Sequence, residues 1–151
     1  MADYIIRVDS STKPNKNSSF RTKSGESSAA WTINVGHYNI AAGLIYFHYN
    51  GPNKTVYEGI LAALSQLESE HFYPGGTDQI TILSDCKIVI DQLDGRPAVK
   101  MKKQWKRVNE FRKRHPNVSF KFLYTPEKEL EYRKVDILSK QGRNWLKKMI
   151  K

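Results

Sequence analysis

Ile80-Thr81-Ile82-Leu83-Ser84-Asp85-Cys86-Lys87-Ile88-Val89-Ile90-Asp91-Gln92-Leu93-Asp94-Gly95 is the stretch on which the reading of this chain turns. Ile80 and Ile82 alternate within a short apolar run, which predicts a buried strand over 79–84. Asp85 closes that run. A short helix over 86–94 is expected behind it, with Ser84 or Asp85 as its cap and Asp94-Gly95 and Pro97 as its stop. A carboxylate at the carboxyl end of a strand stands where open α/β sheets bind their ligands.

Three further acids are set in comparable contexts. Tyr4-Ile5-Ile6-Arg7-Val8-Asp9 repeats the arrangement of a strand, here 3–9, ending in an acid. Glu58 lies early in a helical pattern, Val56-Tyr57-Glu58-Gly59-Ile60-Leu61, and Asp136 lies in Arg133-Lys134-Val135-Asp136-Ile137-Leu138, near the start of a final helix. Each has a local explanation. Asp9 can start a turn, Glu58 can close a capping box with Thr55, Asp85 can cap a helix, and Asp136 can favour a helix N-terminus. Converged in space, the four form an oxygen-only site of the kind that hard divalent cations such as magnesium prefer.

The remaining elements follow outward from these acids. Residues 10–28 are polar, rich in Ser, Lys and Asn, and without periodicity; a long loop is expected, made positive by Lys13, Lys16, Arg21 and Lys23. It either folds over a bound nucleic acid or is a tolerated insertion. Residues 29–36 and 38–49 predict two antiparallel strands, followed by a turn at Asn50-Gly51-Pro52-Asn53. Thr55 and Glu58 predict a capping box, and Tyr57, Ile60, Leu61, Leu64 and Leu67 follow at helical spacing until Pro74-Gly75-Gly76. A helix over 99–114 carries Met101, Trp105, Val108 and Phe111 on its apolar side. Val118, Phe120 and Phe122 alternate as a strand, 124–131 is a loop, and a last helix over 132–149 places Val135, Leu138, Trp145 and Met149 roughly together. The order is β-β-β-α-β-α-α-β-α, with no internal repeat and no dividing linker, so one domain over 1–151 is expected.

Composition narrows the function classes. The net charge of +10 makes nucleic acid the leading partner, ahead of an anionic membrane surface. No apolar stretch is long enough to span a bilayer, and MADYIIRVDS lacks the apolar core of a signal peptide. A soluble monomer is expected, cytoplasmic or in another intracellular compartment that contains nucleic acid. The single cysteine, Cys86, excludes an internal disulfide and a thiolate metal site. The four histidines are scattered without metal-ligand spacing. Nine of the 25 basic residues fall within 96–114: Arg96, Lys100, Lys102, Lys103, Lys106, Arg107, Arg112, Lys113 and Arg114, opposed there only by Glu110. That face either contacts phosphates or is a solvated helix surface. Trp105 either stacks on a sugar or base or packs in the core.

In element order and in its acids the chain resembles the ribonuclease H family, in particular its compact, reverse-transcriptase-like branch. Val8-Asp9-Ser10-Ser11 is similar to the family's Asp-Gly-Ser strand end, and Tyr57-Glu58-Gly59-Ile60-Leu61-Ala62-Ala63-Leu64 to its Glu-bearing helix. Ser84 to Gly95 resembles Ser-Asp-Ser-x-x-Val-Val-x-x-Leu-x-Gly, and Lys134-Val135-Asp136-Ile137-Leu138-Ser139-Lys140 resembles the terminal Ala-Asp-x-Leu-Ala-Lys motif. The match spans about 3–142 apart from the loop. Ser10 replaces the usual Gly. No His lies between His115 and the C-terminus, where many members carry one before the last acid; Glu127, Lys128 and Glu129 occupy that loop. Gly95 passes almost directly into the helix at 99, so no basic protrusion is expected.

The resemblance implies a five-stranded mixed sheet, its first three strands antiparallel, flanked by helices. It implies a two-metal endonuclease that hydrolyses the RNA strand of an RNA–DNA hybrid to a 3′-hydroxyl and a 5′-phosphate. The metals would be two magnesium ions, with manganese as a substitute, held by Asp9, Glu58, Asp85 and Asp136, with Asp9 bridging. It places Ser11, Asn53 and Thr55 where the family contacts the minor groove. Lys102, Lys103, Lys106 and Arg107 are the expected phosphate contacts, and double-stranded RNA or DNA are further duplex partners. The alternatives are a ribonuclease H-like module that binds without cutting, and a nuclease of this fold acting on another duplex or on branched DNA.

Overall fold

Alternation along the first strand sorts the molecule into two layers. In β1 (Asp3–Thr12) Tyr4, Ile6 and Val8 enter the apolar core, while Arg7, Asp9 and Ser11 are buried on the other face. The structure is a computed structural model and describes residues 3–12, 25–70, 78–95 and 101–150. β1 pairs antiparallel with β2 (Gly25–Val35) and parallel with β4 (Gln79–Ser84). β3 (Tyr38–Asn50) adds antiparallel to β2, and β5 (Val118–Phe122) parallel to β4. The sheet order is β3-β2-β1-β4-β5, the mixed sheet expected from the resemblance.

Helix α1 (Pro52–Ser69) packs on the apolar face, next to the short α2 (Lys87–Leu93) and to α3 (Lys102–Arg114). Helix α4 (Leu130–Ile150) crosses the opposite face over β1, β2 and β3, preceded by one 3-10 turn at Pro126–Lys128. Helix α3 begins three residues later than the expected 99, and residues 96–100 lie outside the described residues.

Several boundaries depart from the sequence reading. The expected loop at 10–28 is shorter, because the β1–β2 ladder continues to Thr12 opposite Ser27, where Ser27 Oγ donates to Thr12 Oγ1 at 3.1 Å. Lys13, Lys16, Arg21 and Lys23 lie outside the described residues, as do Arg96 and Lys100. α1 begins at Pro52 rather than at a Thr55 capping box: Gly51 is the N-cap, and the Thr55 hydroxyl donates to Gly51 O at 2.8 Å. Pro at the first helical position needs no N–H partner, which favours the earlier start. α4 begins at Leu130, so Asp136 sits in its second turn. Trp145 and Met149, expected on the inner side of this helix, are 60% and 63% exposed. The face that meets the sheet runs through Tyr132, Val135, Ser139 and Gly142; Trp145 and Met149 continue nearly the same side three and seven residues on, but past Gly142 that stripe is no longer covered.

Close approach of α1 to the sheet depends on Gly59. A Cβ there would stand 2.8 Å from Ala29 Cβ and 2.9 Å from Val8 Cγ1. Gly59→Ala should therefore destabilise the protein by about 1–3 kcal/mol despite the better helix propensity of Ala, because overpacking outweighs propensity here. Thermal or urea unfolding checks this; a stabilised variant would mean that the interface yields.

Candidate active site

The two strand-end acids arise from one topological fact. β1 and β4 are parallel neighbours, so Asp9, near the end of β1, and Asp85, just after β4, emerge at the same edge of the sheet. α4 crosses that edge and contributes Asp136. Asp9, Asp85 and Asp136 line one open cavity of about 270 Å³ together with Glu127, Tyr132 and Arg133. The structure thus brings three of the four sequence-predicted acids together. Glu58, on α1, does not line this cavity; its Oε1 accepts from Gln104 Nε2 at 3.4 Å and stands 4.0 Å from Arg107 Nη1.

Burial pushes the Asp9 carboxyl up to about 8, aided by its hydrogen bond with Asp136 and the charge of Asp85. Burial also acts on Asp136, but hydrogen bonds from Asp9 and Lys140 outweigh it and hold that group below the ordinary carboxylate range. The pair therefore shares a proton near neutral pH, with Asp9 as donor. Lys140 Nζ supports Asp136 at 3.1 Å, and the Ser10 N–H donates to Asp9 Oδ1 at 2.8 Å.

Asp85 is free of the capping role open to it in the sequence. The N-cap of α2 is Cys86, whose N–H donates to Ser84 Oγ at 3.1 Å. Tyr132 instead fixes Asp85: its hydroxyl lies 3.0 Å from Asp85 Oδ1 and 2.8 Å from Val8 O, and accepts the Asp85 N–H at 3.1 Å. Burial, then the charges of Asp9 and Asp85, push the phenol far above its ordinary value. Tyr132 was not singled out in the sequence. Its position four residues before Asp136, on the same helical face, is the signal that finds it.

The other predicted contacts divide. Ser11 is buried, its Oγ accepting from Arg143 Nη1 at 2.6 Å, and Thr55 is fully buried on Gly51, so neither hydroxyl is presented to a groove as the resemblance implied. The Thr55 hydroxyl donates within its own helix turn, whereas the Ser11 hydroxyl is engaged as an acceptor. Asn53 is half-buried in the first turn of α1, where its Oδ1 accepts from Cys86 Sγ at 3.3 Å. Lys102, Lys103, Lys106 and Arg107 are all exposed on α3. Arg112 is committed to the fold through Leu93 O at 2.7 Å and the Phe120 ring, and Arg114 to Glu68 at 3.2 Å. Trp105 packs against the core and donates to Gln92 O at 3.1 Å, the packing role rather than the stacking one.

The donor chemistry suits a hard cation: carboxylate oxygens converge, and burial first, then the hydrogen bond with Asp136 and the charge of Asp85, favours a proton on Asp9. Among the described residues, however, no group of three or more His, Cys, Asp or Glu side chains is drawn tightly enough to hold a metal ion. The arrangement is chemically fit and geometrically open.

Against this geometry the comparisons with known proteins fall into place. No protein-family model matches the sequence, and no curated protein matches it. Solved structures do. The N-terminal ribonuclease H domain of rv2228c from Mycobacterium tuberculosis is 15% identical with a TM-score of 0.77, over 100% of both chains. LC11-RNase H1, isolated from compost, is 17% identical with a TM-score of 0.75, over 97% of this chain and 99% of its own. The same enzyme in complex with an RNA/DNA hybrid matches at 16% identity and a TM-score of 0.71, over 87% of this chain and 92% of its own. The chain has the ribonuclease H fold.

Crowding of the acids has a measurable consequence. Folded Asp9 keeps its proton up to about pH 8, whereas an unfolded Asp loses it near about 4. Between those values the folded state binds more protons, so stability falls as pH rises through that window. In metal-free buffer Asp9→Asn should be more stable than the parent by about 1–2 kcal/mol at pH 9, with the gain gone near pH 4. Added magnesium should raise the melting temperature of the parent and not of the variant. Thermal melts across pH, with and without the ion, check both expectations.

Proposed function

We propose that this chain is a ribonuclease H, a metal-dependent endonuclease that hydrolyses the RNA strand of RNA–DNA hybrids. The observation that carries the reading is the convergence of Asp9, Asp85 and Asp136 on one open cavity, at the strand ends of a ribonuclease H fold. The likeness to a structure holding an RNA/DNA hybrid supports the choice of substrate. One sheet and one core cluster serve the described elements, which supports a single domain.

Asp9, Asp85 and Asp136, with Glu58 from α1, would hold two divalent cations, magnesium or manganese. When bound, such ions supply water activation and stabilisation of the leaving oxygen. The remaining work falls to side chains of the chain. Tyr132 keeps Asp85 in place through a hydroxyl that stays protonated. The hydrogen bond from Asp9, and after it that from Lys140, keeps Asp136 ionised, and the Asp9–Asp136 proton must leave before the two oxygens it joins can act as ligands. Lys102, Lys103, Lys106 and Arg107 hold the duplex by its phosphates. Water attacks the scissile phosphorus and the bond to the 3′-oxygen breaks, leaving a 3′-hydroxyl and a 5′-phosphate; no side-chain nucleophile takes part.

Incubation of the protein and magnesium with hybrid, duplex DNA and duplex RNA of one sequence should give cleavage of the RNA in the hybrid alone. Asp9→Asn and Asp85→Asn should each lower that rate by about a hundredfold or more, since metal activation of water is the central rate term. Near-parent turnover in both variants overturns the assignment. Binding without cleavage by the parent would make the chain a hybrid-holding module.

Lys102→Ala, Lys103→Ala and Lys106→Ala combined should weaken hybrid affinity equally across unrelated sequences. Each lost phosphate contact should flatten the slope of log K against log salt by about 0.7–0.9. A triple variant with the parent's affinity and slope would place the duplex elsewhere.

A further inference from the structure

Glu58 is the one acid of the four held away from the cavity, and what holds it is α3. Gln104 is buried on the inner face of α3 beside Val108 and Phe111. A buried amide is costly unless it is hydrogen-bonded, and its donor here reaches Glu58 Oε1 at 3.4 Å. Arg107, half-exposed on the rim of the same helix, stands 4.0 Å from the same oxygen. Its neighbours on the outer face are Lys103 and Lys106, both exposed.

We propose that α3 is a latch: Gln104 and Arg107 hold Glu58 off the carboxylate cavity until a nucleic-acid phosphate engages Arg107, so that duplex binding and divalent-cation binding reinforce one another. The proposal rests on the nuclease reading above and adds an order to it.

Both holding contacts are weak. The hydrogen bond is long, and an ion pair at the outer limit of contact between partly exposed groups contributes little. A phosphodiester offers the guanidinium two oxygens in the geometry it prefers and displaces the carboxylate. Glu58 is then held by the Gln104 bond alone, and a cation among Asp9, Asp85 and Asp136 can draw it in. The reverse also holds: a cation that captures Glu58 frees Arg107 for phosphate. Coupling between two ligands through one shared group is reciprocal by thermodynamic necessity. Gln104 and Arg107 are thus positioning residues, acting through Glu58. Glu58 lies outside the cavity that Asp9, Asp85 and Asp136 line, so on this reading the free protein rests with its fourth ligand withdrawn.

Manganese affinity, read from the electron spin resonance of the free ion, tests the latch. It is measured with and without a hybrid made uncleavable by 2′-O-methyl groups, and the Asp9→Asn complex supplies the background from ions condensed on the nucleic acid. The hybrid should tighten manganese binding by about five- to tenfold. Gln104→Ala should tighten it by about threefold or more without nucleic acid and shrink the further gain from hybrid. The change is neutral, so an altered field cannot mimic it. Gln104→Met, which keeps the volume, serves if the Ala variant does not fold. The gain should vanish when Glu58→Gln is added. In turnover, both Gln104 variants should lower the manganese concentration for half-maximal rate and leave the saturated rate unchanged, which a merely structural role would not do. Gln104 variants with the parent's manganese affinity, or a gain that survives Glu58→Gln, overturn the latch. If Asp9→Asn abolishes manganese binding in that same series, the cation site stands and only the latch falls. If Asp9→Asn binds manganese like the parent, the site reading and the latch fall together.

Discussion

One phenolic hydroxyl ties three elements at the point where the chemistry is proposed to occur. Tyr132, on α4, reaches the carbonyl of Val8 at the end of β1 and both the carboxylate and the N–H of Asp85 just beyond β4. Adjacent parallel strands bring two acids to one edge of a sheet, but they do not fix their separation or their rotamers. The hydroxyl ties Asp85 to the backbone next to Asp9 and orients the Asp85 carboxylate, and its buried setting keeps it a proton donor at any working pH. Helix α4 is thereby held in the register that sets Asp136 against Asp9.

The two faces of the sheet are stabilised by different physics, and the difference follows from the site. Toward α1 the contacts are apolar: Ile6, Val8, Ile33, Ile60, Leu64 and Ile82 are essentially removed from water. Toward α4 they are largely polar. Arg7 pairs with Glu129, Ser28 Oγ donates to Ser139 O at 2.5 Å, Arg143 donates to Ser11, and Asp9 meets Asp136. Such a seam stabilises less per area than an apolar one, because desolvation offsets much of each attraction. Among the described residues Arg7 Nη1 and Arg143 Nε are buried there without a hydrogen-bond partner. An all-apolar α4 face would have left the carboxylates without the hydroxyl and ammonium groups that position them.

What was legible in the sequence is what local chemistry decides. Alternation and the placing of an acid at a strand end gave β1, β4 and their order, and with them Asp9 and Asp85. Helical spacing placed Asp136 on a helix but not its face, because Ser139 and Gly142, which pack against the sheet, carry no apolar signal, while Trp145 and Met149 carry one and are exposed. Thr55 and Glu58 matched a capping box by spacing, yet Pro52 starts the helix a turn earlier and leaves Glu58 with a tertiary partner. That partner, Gln104, was hidden in a basic run; only its alignment with Val108 and Phe111 marks it as inward-facing. Contacts between elements distant in sequence have no local pattern, and the site is built almost wholly from such contacts.

Carboxylates gathered in one cavity repel, and a protein without bound cations has few ways to bear this. Here two devices act together. A proton shared between Asp9 and Asp136 removes one charge, and withdrawal of Glu58 toward Gln104 and Arg107 removes another from the cavity. Under the proposed function both devices would yield to a divalent cation, which would replace the proton and offer Glu58 a stronger partner than a long hydrogen bond. The exposed lysines of α3 add a positive face near Glu58, which would attract a polyanion whose phosphates would then compete for Arg107. On the proposed reading, the excess of basic residues and the small set of crowded acids are parts of one electrostatic arrangement, in which neither the cation nor the nucleic acid would be bound at full strength without the other.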